Sequence, residues 1–498
     1  MPNPFTEADA RDTQALVKTG FGKLQYRYLL LRIDDAVPAR AWLRALRLRN
    51  ITEVGDGKKV DQAIQLALSV AGLRALGLGE LVTEFSPEFE VGLGDDPSRS
   101  RRLGDIGANA PASWDWGVGG REPHVLLMLF ADPAEVDGLA ARLSGEARAS
   151  GLSLIDPILP NGTIVQREPF GFLDGISQPV PDFDGKRNPG GADDMDFHNF
   201  VATGEILLGY PNEYGLYTER PLLDPRMAGA TDLPHAADAP QKHDLGRNGS
   251  YLVFRQLHQN VRGFWRWVYA EAGEDGAVTL AEAMVGRRLE SGEPFTGLGR
   301  TEIPGIDRND KKNSFNYRGD PDGKVCPIGA HIRRANPRTG DYPQGRMGLI
   351  KKLLALLGLT GTPERDRIAS TRFHRILRRG RAYGAPLDYR EAAKPGGSDP
   401  ETGLHFICLN ANPARQFEFV QGAWLASAKF AGMSNEQDPM LGNRVPFPAD
   451  QPTDRFTGPE SEGRCPVIHG LPQFVTVKGG AYFFLPGLRA KDWLLRDR

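Results

Sequence analysis

The sequence predicts an α+β fold of two ferredoxin-like modules with antiparallel sheets, and three observations predict it. A short apolar strand followed by a turn and an amphipathic helix occurs four times, twice in each half of the chain. These units stand much further apart than the ~30 residues of a compact βαβ repeat, which argues for split βαβ units and against a doubly wound parallel sheet. The 498 residues also exceed the ~250–300 at which a single core stops growing. The modules are placed at 1–245 and 246–498.

The first unit is YRYLLLRIDD from Tyr26, with Pro38 opening a helix that carries Trp42 and Leu46. The second is HVLLMLFADPAEV from His124. Here Asp132 is expected at the helix N-cap, with Pro133 in the first turn and Glu135 closing a capping box. Val136, Leu139 and Leu143 follow on one helical face. The third unit is SYLVFRQL from Ser250, followed by Val261, Phe264, Trp265 and Val268 at helical spacing. The fourth is LHFICLNANPARQFEFVQGAW from Leu404. Asn412 and Pro413 repeat the cap-then-proline device there, and Phe417, Val420 and Trp424 form the apolar face.

Composition removes several function classes. Lys plus Arg (61) nearly balance Asp plus Glu (63), so no global field favours nucleic acid or an anionic membrane. Cys326, Cys408 and Cys465 are too few for a disulfide framework and form no CxxC pair. The opening MPNPFTEADARDTQ lacks the basic and apolar regions of a signal peptide, and no apolar stretch reaches ~18 residues, so a cytoplasmic protein is expected. Phosphate-loop, HExxH, GxSxG and CxxCH signatures are all missing. The acidic run from Asp182 to Asp196 lacks EF-hand spacing and reads as a solvated loop.

Two segments are unusual for scaffolding. REPFGFLDGISQP, from Arg167 to Pro179, sets Asp174 among apolar neighbours with glycines on either side; an acid so placed has a perturbed pKa. An Asx-type turn explains it equally well from composition alone. KVCPIGAHIRRANPR, from Lys324 to Arg338, sets His331 after small residues with three arginines nearby, and on composition reads as a core histidine or a basic loop.

Gly171–Phe172–Leu173–Asp174–Gly175 resembles the GxxDG signature of the dye-decolorising peroxidases, and Cys326–Arg334 resembles that family's proximal-histidine segment. HRILRRGRAYG, from His374 to Gly384, is similar to the stretch bearing its distal arginine, which falls on Arg378 with Arg379 as the one-residue alternative. The resemblance covers nearly the whole chain. It implies modules of the dimeric α/β barrel superfamily type and one haem b per chain, held mainly by the C-terminal half. It implies a peroxidase whose partners are hydrogen peroxide and an organic electron donor such as a dye or phenol.

His331 would then be the iron ligand, with Glu418 or Asn410 as candidates to hold its other ring nitrogen. Asp174 would shuttle the peroxide proton, and Arg378 would offer fixed positive charge as the O–O bond breaks. Gly171 and Gly175 are assigned to cofactor binding, and Arg333 and Arg334 to haem propionates. Trp114, Trp116, Trp265, Trp267, Trp424 and Trp493 are candidate electron relays, read mostly as core. The run GLIKKLLALLGLTG (348–361) is read as a buried helix, with an interface of a homo-oligomer as the alternative. The rival functions are a haem carrier or sensor, which has no use for both an acid and an arginine, and an iron-releasing haem-processing protein on the same fold.

Overall fold

The computed structural model describes residues 5–49, 51–55, 60–157, 159–162, 166–185, 199–295, 312–313, 315, 317, 320–338, 354, 357, 370–445 and 452–497. Most of the 348–361 run and of the acidic stretch 182–196 therefore lies outside the described residues.

Nine strands form one antiparallel sheet. The first half supplies β1 (Gln25–Ile33), β2 (Gln62–Leu68), β3 (Val125–Ala131) and β4 (Leu152–Leu154). The second supplies β5 (Ser250–Gln259), β6 (Leu377–Arg378), β7 (Arg381–Tyr383), β8 (Gly403–Asn410) and β9 (Val475–Leu485). Helix α1 (Ala36–Arg49) links β1 to β2, and α2 (Val136–Ala149) links β3 to β4. The order is β6-β8-β5-β9-β2-β3-β1-β4, with β7 also on β8. One half thus runs 4-1-3-2, and the other runs β9-β5-β8-β6/β7, the same order again. The two sets meet at a single pair, Phe484 opposite Leu68.

Both faces of the sheet are covered, so its strands are apolar throughout rather than alternating. In β3 every residue is buried: Leu127 and Leu129 enter one core, while Leu126, Met128 and Phe130 enter the other. In β8 the same period of two sends Ile407 and Leu409 into the second core and turns Leu404 and Phe406 towards the first.

The helices depart from expectation at two ends. Helix α2 starts at Val136, and Asp132 instead caps the preceding turn, accepting the Ala134 N–H at 3.0 Å. After β8, Asn412 caps as expected, accepting the Arg415 N–H at 2.8 Å. The helix it opens is wound as π-turns over Ala414–Glu418 and Val420–Leu425. That wider winding, often found at functional sites, brings Val420, Gln421, Trp424 and Leu425 together on one cavity wall. Helix α3 (Val261–Val285) is capped by Asn260 and broken at Gly273.

Candidate functional site

A cavity of about 250 Å³ lies on the first-core face of the C-terminal strands, and Asp174, His331 and Arg378 all line it. Its walls are mostly apolar, with Phe172, Leu257, Phe406, Phe417, Trp424 and Met440 among them.

Arg378 reaches the cavity because of strand alternation. It pairs with Cys408 at the end of β6, and its neighbour Leu377 enters the opposite core. Arg379 faces away, donating to the carbonyls of Leu16 and Val17 at 2.7 and 2.9 Å, so Arg378 is the cavity arginine.

Asp174 sits in the loop that follows β4. Gly171 and Gly175 have φ of +102° and +75°, backbone that side-chain-bearing residues rarely adopt. Neither glycine is among the lining residues; both shape the turn, and the Gly175 N–H donates to Asp174 Oδ1 at 2.6 Å. Arg378 Nη1 donates to the same oxygen at 3.0 Å. Burial works to raise the Asp174 carboxyl, but the Arg378 guanidinium and the Gly175 N–H outweigh it. The carboxyl is held below its ordinary value.

His331 opens a five-residue helix, α4 (His331–Ala335). Its Nδ1 lies 3.0 Å from Asp438 Oδ2, and the carboxylate partner assigns the proton to Nδ1. The Asp438 side chain is fully buried, and its Oδ1 also accepts the Met440 and Leu441 N–H groups at 2.9 and 2.8 Å. Burial works to lower the His331 pKa, but Asp438 outweighs it and the net shift is upward. Nε2, with no hydrogen bond among the described residues, keeps its lone pair for the cavity side.

Asp438 is the residue the sequence did not reveal. It lies 107 positions from His331, in SNEQDPML, and the only local signal is an acid before Pro439 that can cap the next two amides. The expected candidates are engaged elsewhere. Glu418 pairs with Arg99 at 2.8 Å and accepts from Tyr482, while buried Asn410 lies beside Cys408.

Arg333 and Arg334, expected at the propionates, are engaged elsewhere. Arg333 binds Asp320 and the Cys326 carbonyl, and Arg334 donates to the carbonyls of Trp424, Leu425, Ser427 and Glu436. Neither lines the cavity. Among the lining arginines, Arg255 is paired with Asp105, whereas the Arg375 guanidinium makes one long hydrogen bond, 3.4 Å to Asn199, among the described residues. Burial, with Arg372 and Arg378 nearby, pushes Arg375 down to about 10.

This donor set fits a haem: one imidazole nitrogen backed by a carboxylate, apolar walls for a flat ring, and a cation with capacity for a carboxylate.

No protein-family model matches the chain. Dye-decolorizing peroxidase msp1 of Mycetinis scorodonius is 27% identical over 96% of this chain and 86% of its own length. Multifunctional dye peroxidase DyP2 of Amycolatopsis is 28% identical over 98% and 93%. The solved DyP-type peroxidase of Auricularia auricula-judae superposes with a TM-score of 0.71 at 23% identity, covering 98% of this chain and 99% of that one. Deferrochelatase of Yersinia pestis is similar over 35% of this chain only, at 26% identity.

Proposed function

The chain is a relative of the dye-decolorizing peroxidases along nearly its whole length, and from that premise we propose that it is a haem-dependent peroxidase. It reduces hydrogen peroxide and oxidises dyes, phenols or other organic reductants. The observation that carries this reading is that the Asp174–Arg378 pair and His331, backed by Asp438, meet on one mostly apolar cavity.

His331 Nε2 would hold the iron of one haem b per chain, with Asp438 fixing the tautomer and orientation of the ring. Arg375 would meet the carboxylates of the cofactor, the role the sequence had pointed to Arg333 and Arg334. When bound, the haem supplies a redox-active iron at which peroxide is reduced. The ionised Asp174 takes a proton from one peroxide oxygen and returns it to the other, which departs as water. Arg378 holds Asp174 ionised and stabilises the negative charge that grows on the departing oxygen. The organic donor supplies the two electrons that complete reduction to water.

A haem carrier or sensor would have no task for the Asp174–Arg378 pair, and the deferrochelatase similarity is too partial to favour iron release. Cysteines 326, 408 and 465 are all free, which supports a reducing, cytoplasmic setting. Among the described residues no helix is long and apolar enough to cross a membrane. The test is peroxide-driven dye oxidation by haem-loaded protein. Asp174→Ala and Arg378→Ala should each lower the rate ~10²–10⁴-fold with haem retained; unchanged rates in both would exclude the mechanism.

A further inference from the structure

The loop that presents Asp174 is built around a second acid, Glu168, which the reaction as described leaves without a task. Its carboxylate closes the turn from inside: Oε2 accepts the Phe170 N–H at 3.0 Å and Oε1 accepts the Phe172 N–H at 2.9 Å. The backbone of Glu168 adds two bonds to the same turn, donating to the Phe172 carbonyl and accepting from Gly171. A strut ties the carboxylate to the sheet, because Gln259 Nε2, at the end of β5, donates to Oε2 at 2.8 Å. Glu168 has no ion pair with a cation among the described residues, and it shares the cavity wall with Asp174. Glu168 is half-buried, and a carboxylate withdrawn from water without a counter-charge is unfavourable unless hydrogen bonds satisfy its oxygens, which here only the turn amides and Gln259 supply.

We propose that Glu168 is the positioning residue of the peroxide-reducing site, shaping the 168–174 turn so that Asp174 meets Arg378. The inference rests on the peroxidase reading. Burial pushes the Glu168 carboxyl up to about 7, yet both oxygens keep acceptor capacity whether or not the group holds a proton. An amide nitrogen accepts nothing, so Glu168→Gln places a donor against one of the two loop N–H groups while keeping size and shape.

The test measures the second-order rate constant for peroxide in haem-loaded protein, beside hydrogen exchange of the Phe170 and Phe172 amides. Glu168→Gln should lower the constant tenfold or more, leave KM for the dye unchanged, and speed exchange at one or both amides. In an Asp174→Ala background it should lower the peroxide constant no further, because the residue it positions is gone. Equal losses in both backgrounds, or an unchanged constant in the single variant, would overturn the proposal. A wild-type protein that takes up haem but ignores peroxide would instead sink the peroxidase reading, and the exchange result would still decide whether Glu168 holds the turn. Should Glu168→Gln fail to fold, Gln259→Met removes the strut alone and should lower the peroxide constant about threefold; no change there would count against the proposal.

Discussion

Asp174, open to the cavity, and Asp438, fully buried, are both acids of the site, and their partners set their tasks. Asp174 faces a fixed cation and stays ionised, whereas Asp438 holds a ring N–H. The sign of the Asp174 shift gives a pH expectation. Its folded pKa lies below the unfolded ~3.9, so the proton-accepting form is present above that value and is lost only as pH falls through the lower one. The rate constant for peroxide in the haem-loaded protein should therefore show no loss attributable to Asp174 down to about pH 4. A loss with midpoint near 6 that disappears in Asp174→Asn would contradict this. Asp438→Asn keeps a side chain of similar shape but removes the charge that backs the imidazole. Haem affinity measured by titration should fall ~10–100-fold, and equal affinity would mean that Asp438 does not tune the ligand. The resemblance of the motifs carried Asp174, His331 and Arg378. Asp438 was not legible because its partner is 107 residues away and its own surroundings look like an ordinary turn.

At the scale of elements, alternation along β6 and β8 does much of the site-building. It turns Arg378, Leu404 and Phe406 to the cavity and Leu377 and Ile407 away from it. That period was readable once the strands were placed. The π-winding after β8 was not, since Phe417, Val420 and Trp424 also fit an α-helical face. The cap of this helix was legible from Asn412 and Pro413 and gives a stability expectation. Asn412→Ala removes the acceptor of the Arg415 N–H and should destabilise the protein by about 1 kcal/mol. Denaturant unfolding checks this, and no change in midpoint would mean that the cap is dispensable. The corresponding expectation for Asp132 failed because Ala134 and Glu135 close a separate turn before α2 begins, so the cap motif acts one turn early.

For the molecule as a whole, duplication was the most legible feature. Four strand–helix units in the sequence become two sets of strands with the same 4-1-3-2 order, joined edge to edge through Phe484 and Leu68. What sequence could not supply was which charged groups the folded chain itself takes up. Arg333 and Arg334 looked available for an anionic ligand, yet the surrounding loop carbonyls and Asp320 take them up, leaving Arg375 as the freer cation. The central claim is that His331 holds a haem on which peroxide is reduced. The most direct measurement is the absorption spectrum of haem-reconstituted wild type beside His331→Ala, before and after peroxide. A Soret band that shifts on adding peroxide in the wild type, and that weakens or vanishes in the variant, is the expected result; failure of the wild type to take up haem, or an identical spectrum in His331→Ala, would contradict it.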